Sequence, residues 1–303
     1  MSSGSDEIEA LAALLGQGAP GAAGVTGSRP APAQPRSSPD THDRGVPSWP
    51  LPAAIVASLV PVLVLPNAAG MIADWAPLWQ ATAVAVVLSV AAWLAARTVG
   101  ILPWKLGARP ARVAAFGLAM GSVGIGGCVV ALFAGGRLVP DGTTAHWGLL
   151  VGLAATALQV AGEEAFFRGW LLAALGRLAR PSLAIAGSAI LFSALHLVGG
   201  TRALLCLVNL VFAGVLFGLF AWRSGGLAMP FAAHVAWNAG ETLVFGLYPN
   251  PGSGPWGAVW GHDIVGPALW GGGEEGLNDS VIVTLVLGAL VLAEMGARRG
   301  QLA

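Results

Sequence analysis

The chain has 303 residues, of which 55% are hydrophobic and only 10% charged, with a mean hydropathy of +0.73. Soluble domains carry about 25% charged residues, so this balance excludes an ordinary soluble protein and points to an all-α, polytopic membrane protein whose surroundings are the lipid bilayer. The net charge is zero, which argues against a nucleic-acid partner.

The stretch MSSGSDEIEALAALLG has neither the basic start nor the apolar centre of a signal peptide. Residues 5–16 suit a short helix. Residues 17–47 are rich in Gly, Ala, Pro and Ser, so residues 1–47 read as a disordered cytoplasmic tail. A membrane-spanning helix needs about 20 apolar residues. The sequence supplies eight such stretches, near 51–73, 76–97, 113–135, 147–174, 182–199, 203–222, 226–246 and 279–297. Pro52, Pro61 and Pro66 should bend the first of them, a defect that neighbouring helices can absorb. Gly117/Gly121 and Gly214/Gly218, at four-residue spacing, suit close helix contacts. Cys128 and Cys206 lie in apolar runs and read as small packing residues.

Thirteen Lys and Arg residues fall on the side shared with the N-terminus, against only Arg137 and Arg202 on the other. The positive-inside rule therefore puts both termini in the cytoplasm of an inner (plasma) membrane protein. The last external segment, about 247–278, has no Lys or Arg and carries Trp256, Trp260 and Trp270, which read as interfacial tryptophans. His262 and Asp263 lie there too, away from the other polar positions. The expected organisation is then the tail (1–47), three N-terminal transmembrane helices (48–145), a helical core (146–250), an external Trp- and Gly-rich loop (251–278), and a last transmembrane helix with the C-terminus (279–303).

Within the fourth stretch, HWGLLVGLAATALQVAGEEAFF contains two adjacent acids, Glu163 and Glu164, and no other formal charge. One carboxylate at membrane depth costs roughly 2.5 to 3.5 kcal/mol on insertion scales, so a pair demands a chemical reason. On a helix, residues four apart share a face, which gives Glu164 an internal partner in Arg168. Glu163 is rotated by about 100° from Glu164; it lies beside Gln159 and Phe167, free to act as a base. The alternative is that both glutamates brace the bundle through Arg168 and Arg223. His196 ends the run AILFSALH, four residues after Phe192. His234 and Asn238 are again four apart, with Glu241 near the same face, and could offer two donors to an oxyanion. A packing hydrogen bond is the competing account for such residues, and it is a reasonable one for Asn209 on the sixth stretch. A rise of 1.5 Å per residue puts Glu163, His196 and His234 roughly 16, 21 and 12 Å from the cytoplasmic helix ends, all in the middle zone of a 30 Å core.

The pattern Glu163-Glu164-x-x-x-Arg168, Phe192-x-x-x-His196 and His234-x-x-x-Asn238 resembles the CPBP family of intramembrane glutamic endopeptidases, which includes CaaX prenyl proteases and bacteriocin-processing or immunity proteins (Abi family). The resemblance covers about residues 145–250. It implies that Glu163 activates water with help from His196, that His234 and Asn238 stabilise the oxyanion, and that Glu164 and Arg168 support the site. A zinc site on Glu163, His196 and His234 is the alternative; no HExxH occurs, and a glutamate-activated water uses all four residues with no cofactor. The partner implied is a membrane-associated protein or peptide, such as a C-terminal tail. Prenylated CaaX proteins are a eukaryotic substrate class, whereas this composition looks bacterial. Two other functions fit the same residues: a non-catalytic membrane binding or immunity protein, and a proton-coupled transporter with midplane acids. The internal repeats usual in such transporters are not seen.

Overall fold

The computed structural model describes residues 50–72, 77–250 and 254–299. The tail 1–47 and the helix expected over 5–16 lie outside the described residues. Eight helical segments follow the sequence expectation closely: α1 (Pro50–Ile72), α2 (Pro77–Val99), α3 (Pro110–Ala134), α4 (Gly148–Gly176), α5 (Pro181–Gly199), α6 (Leu204–Ser224), α7 (Ala228–Ala239, continued by a wide turn Gly240–Val244) and α8 (Val281–Arg299). Proline occupies the first position of α1, α2, α3 and α5. Its fixed φ suits that position, and its missing N–H is one that a first turn leaves unbonded anyway. α1 runs on through Pro52, Pro61 and Pro66 without a break in the helix.

Among the described residues four helices, α2, α3, α4 and α6, are long and apolar enough to cross a membrane; Pro50–Val64, Pro181–Leu197 and Val281–Ala297 are apolar but shorter. Large apolar side chains such as Val60, Val90, Phe133, Leu183 and Leu292 are exposed on the outside of the bundle. That pattern would be costly in water and is the expected one where lipid is the solvent. This is a membrane protein.

Small residues set the helix spacing. A Cβ on Gly117 or Gly121 of α3 would collide with the carbonyl oxygens of Met229 or Ala233 in α7, and one on Gly124 would meet the Trp237 ring. The seam repeats every three to four residues on both helices, so α7 lies backbone-close against α3 along its length. Gly162 of α4 stands equally close to Ala85 of α2, while Gly214 and Gly218 of α6 seat on Ala189 and Ile185 of α5. Cys128 and Cys206 are free and buried, as packing residues.

Between these helices the chain also forms a feature that the hydropathy pattern did not announce. Strands β1 (Leu138–Gly142), β2 (Leu247–Tyr248) and β3 (Gly261–Ile264) make a small sheet of order β1-β3-β2, with β1 antiparallel and β2 parallel to β3. Leu247 and Ile264 are buried beneath it, so the segment expected as a loop is pinned to the bundle.

Candidate functional site

The two glutamates close the regular part of α4 (Gly148–Glu164). The helix then widens into a stretch with i→i+5 hydrogen bonding, Ala165–Leu171, before resuming at Leu172. Such wide turns add a residue to the turn and often mark functional positions. Here the turn buries Phe166, Phe167, Arg168 and Trp170 together. It is tied to its neighbours by side-chain bonds: the Trp170 indole donates to Ser58 Oγ of α1 (3.0 Å), and Ser188 Oγ of α5 donates to the Phe167 carbonyl (2.8 Å).

The acids diverge as the helical spacing requires. Glu164 is fully buried, and its Oε1 accepts from Arg168 Nη1 at 2.8 Å and stands 2.9 Å from His234 Nδ1. The Arg168 guanidinium lies 4.4 Å from the Phe192 ring centre and 5.3 Å from that of Phe217. Its Nε and Nη2 have no hydrogen-bond partner, so aromatic faces stand where acceptors would otherwise be. Glu163, 4% exposed, accepts from Gln159 Nε2 at 3.0 Å, and its Oε2 lies 3.8 Å from His234 Nε2. His234 therefore stands between the two carboxylates, one on each ring nitrogen. Its ring stacks on Phe217, centroids 4.7 Å apart and planes 22° apart.

His196 sits near the end of α5, its Nδ1 3.0 Å from the Phe192 carbonyl and its ring edge-on to Phe192. A carbonyl only accepts, so Nδ1 carries the proton and Nε2 of the neutral ring is left as an acceptor. Glu163, His196, His234 and Asn238 all line one cavity of about 350 Å³. Glu164 and Arg168 lie behind its wall. The bracing alternative through Arg223 is overturned, because Arg223 forms a two-oxygen ion pair with Glu294 of α8 at 2.8 and 2.9 Å, and neither Glu163 nor Glu164 takes part. Among the described residues no group of three His, Cys, Asp or Glu side chains is arranged to hold a metal ion.

Other residues enter the cavity that spacing along one helix does not reveal. Asn250, Trp256, Glu275 and Asn278, from the region between α7 and α8, form part of its wall. Trp256, expected at the membrane surface, instead packs against Gly152 of α4, whereas Trp260 and Trp270 are exposed as expected. Glu241, noted in the sequence only as near the His234 face, is 3% exposed and accepts from the Asn250 and Asn278 amides at 2.8 and 2.9 Å. Asn209 makes the packing bonds expected of it, donating to the carbonyls of Asn278 and Ser280. His262 is taken up by the carbonyls of Phe245 and Trp260, and does not line the cavity.

Comparison with known families gives one match: residues 145–240, about a third of the chain, fit the family described as Rce1-like, type II CAAX prenyl endopeptidase. No curated protein and no solved structure is similar enough to be matched. The matched segment runs from the start of α4 to the end of the regular part of α7 and contains all three motifs. Members of that family act on membrane-associated proteins as CAAX-type intramembrane proteases. The segment 145–240, with all three motifs on α4, α5 and α7, is thus similar to the CAAX-type protease family.

Proposed function

We propose that this protein is an intramembrane endopeptidase that hydrolyses a peptide bond of a membrane-associated protein or peptide with a water activated by Glu163. The observation that carries this reading is the shared cavity: Glu163, His196, His234 and Asn238, from three helices, face one space, while Glu164 is committed to Arg168 behind it. A buried acid with a void in front of it is arranged to meet a ligand, whereas Glu164 has its Oε1 committed to Arg168 and His234.

Glu163 takes a proton from water, and the resulting hydroxide adds to the scissile carbonyl carbon. His196 Nε2 accepts the other water proton as a hydrogen bond and so orients the attacking lone pair. The Asn238 amide and His234 Nε2–H donate to the oxyanion that forms. His234 Nδ1 stands 2.9 Å from Glu164 Oε1, which fixes the ring and turns Nε2 toward the cavity. When the tetrahedral intermediate collapses, Glu163 returns its proton to the departing amine. No metal or cofactor enters these steps.

We also read all eight helices as spans, with both termini in the cytoplasm of the plasma membrane and the region 251–278 outside. Cleavage of a membrane-anchored peptide in proteoliposomes, compared between the parent chain and Glu163→Gln, tests the proposal. Loss of product in the variant is expected. Equal cleavage by both would refute the role of Glu163, and absence of cleavage by the parent chain on any membrane peptide would favour a binding or immunity protein of the same fold.

A further inference from the structure

The cavity continues past the proposed catalytic residues to a second buried carboxylate, Glu241, which lies one residue beyond the matched family segment. His234, Asn238 and Glu241 are spaced four and three apart, so they follow one face of α7. Glu241 is held by the Asn250 and Asn278 amides from outside the helix. Both partners are donors, the set that an ionised carboxylate accepts. Trp237 and Trp256 add aromatic surface to the same cavity, which no Lys or Arg lines. A carboxylate beside aromatic walls, with no Lys or Arg among the described residues that line the cavity, matches the chemistry of an ammonium or guanidinium ligand.

We infer that Glu241 is a specificity-determining residue that binds a cationic side chain of the peptide substrate, about three residues from the scissile bond. The register follows from geometry. The seven helical steps from His234 to Glu241 rise about 10.5 Å, and an extended peptide covers that distance in about three residues at roughly 3.3 Å each. The position of the scissile bond rests on the peptidase reading above; the binding of a cation does not.

The test uses the full chain in proteoliposomes with terminally blocked decapeptides of Leu and Ala that carry one Lys, its acetylated form, or norleucine, scanned along the peptide. Binding is measured on Glu163→Gln, which holds peptide without turnover, and cleavage sites are mapped in parallel with the parent chain. Lys peptides should bind about tenfold more tightly than their two neutral counterparts, the ratio expected for a hydrogen bond to a charged group. Glu163→Gln/Glu241→Gln should bring that ratio to about one, a change that mere loss of a loop anchor would not produce. Equal binding of charged and neutral peptides, or a preference that survives in the double variant, overturns the assignment. Should the double variant fail to fold, the comparison of Lys with acetyl-lysine and norleucine on Glu163→Gln decides alone. Cleavage without charge preference refutes the role of Glu241 and leaves the peptidase; charge-selective binding without cleavage does the reverse.

Discussion

The adjacent acids permit a sharp separation of roles. Glu163→Gln removes a base but leaves Gln159 able to bond the new amide, so the fold should persist while cleavage falls by about 10²- to 10⁴-fold, the usual worth of a general base. Glu164→Gln acts on a different set. Its Oε1 serves both Arg168 and His234, and the Arg168 side chain is 0% exposed, with two of its nitrogens already lacking an acceptor. Stranding such a charge costs about 3 to 5 kcal/mol, equivalent to a fall in melting temperature on the order of 10 °C. Because His234 loses its anchor as well, cleavage should also fall, but less than in Glu163→Gln. Adding Arg168→Gln to Glu164→Gln removes the stranded charge and should restore part of the stability without restoring activity. The assay is melting in detergent alongside liposome cleavage for the parent chain and these three variants. Loss of stability in Glu163→Gln together with a fully stable, inactive Glu164→Gln would show that the roles had been assigned the wrong way round.

Reporter fusions after residues 140 and 260 should behave as external, because the basic residues divide thirteen to two; a cytoplasmic signal from either would refute the topology. Purified protein should contain no stoichiometric zinc and should retain cleavage in chelator, whereas one tightly bound zinc per chain, lost together with activity, would replace the water-only scheme. Gly121→Ala places a methyl group against the Ala233 carbonyl, one residue from His234, and should lower stability by about 1 to 3 kcal/mol through overpacking. An unchanged melting temperature would mean that α3 and α7 can separate more freely than their backbone contact implies.

Hydropathy placed the helices because a bilayer leaves the backbone few options: every N–H and C=O must be satisfied within the segment, so a long apolar run has to be a helix. The four-residue spacings of Glu164 with Arg168 and of His234 with Asn238 were equally legible, since they depend only on helical geometry. The bond from His234 Nδ1 to Glu164 was not legible, because 70 residues separate them and spacing says nothing of contacts between helices. That contact depends on the glycine seam that draws α7 onto α3 and on Gly162 drawing α4 onto α2. The sequence identified these glycines only as small; which backbone each one meets is a property of the packed bundle. The region between α7 and α8 was read as an external loop from its lack of Lys and Arg and its tryptophans. Its three-stranded pairing and its contribution of Trp256 and Asn278 to the cavity depend on chain segments more than a hundred residues apart in β1 and β3. The sequence by itself determined which residues are polar inside an apolar chain and which of them share a helix face. Only tertiary structure decided that one acid is committed to Arg168 and His234 while its neighbour lines the cavity, because burial depends on what the other helices bring against it.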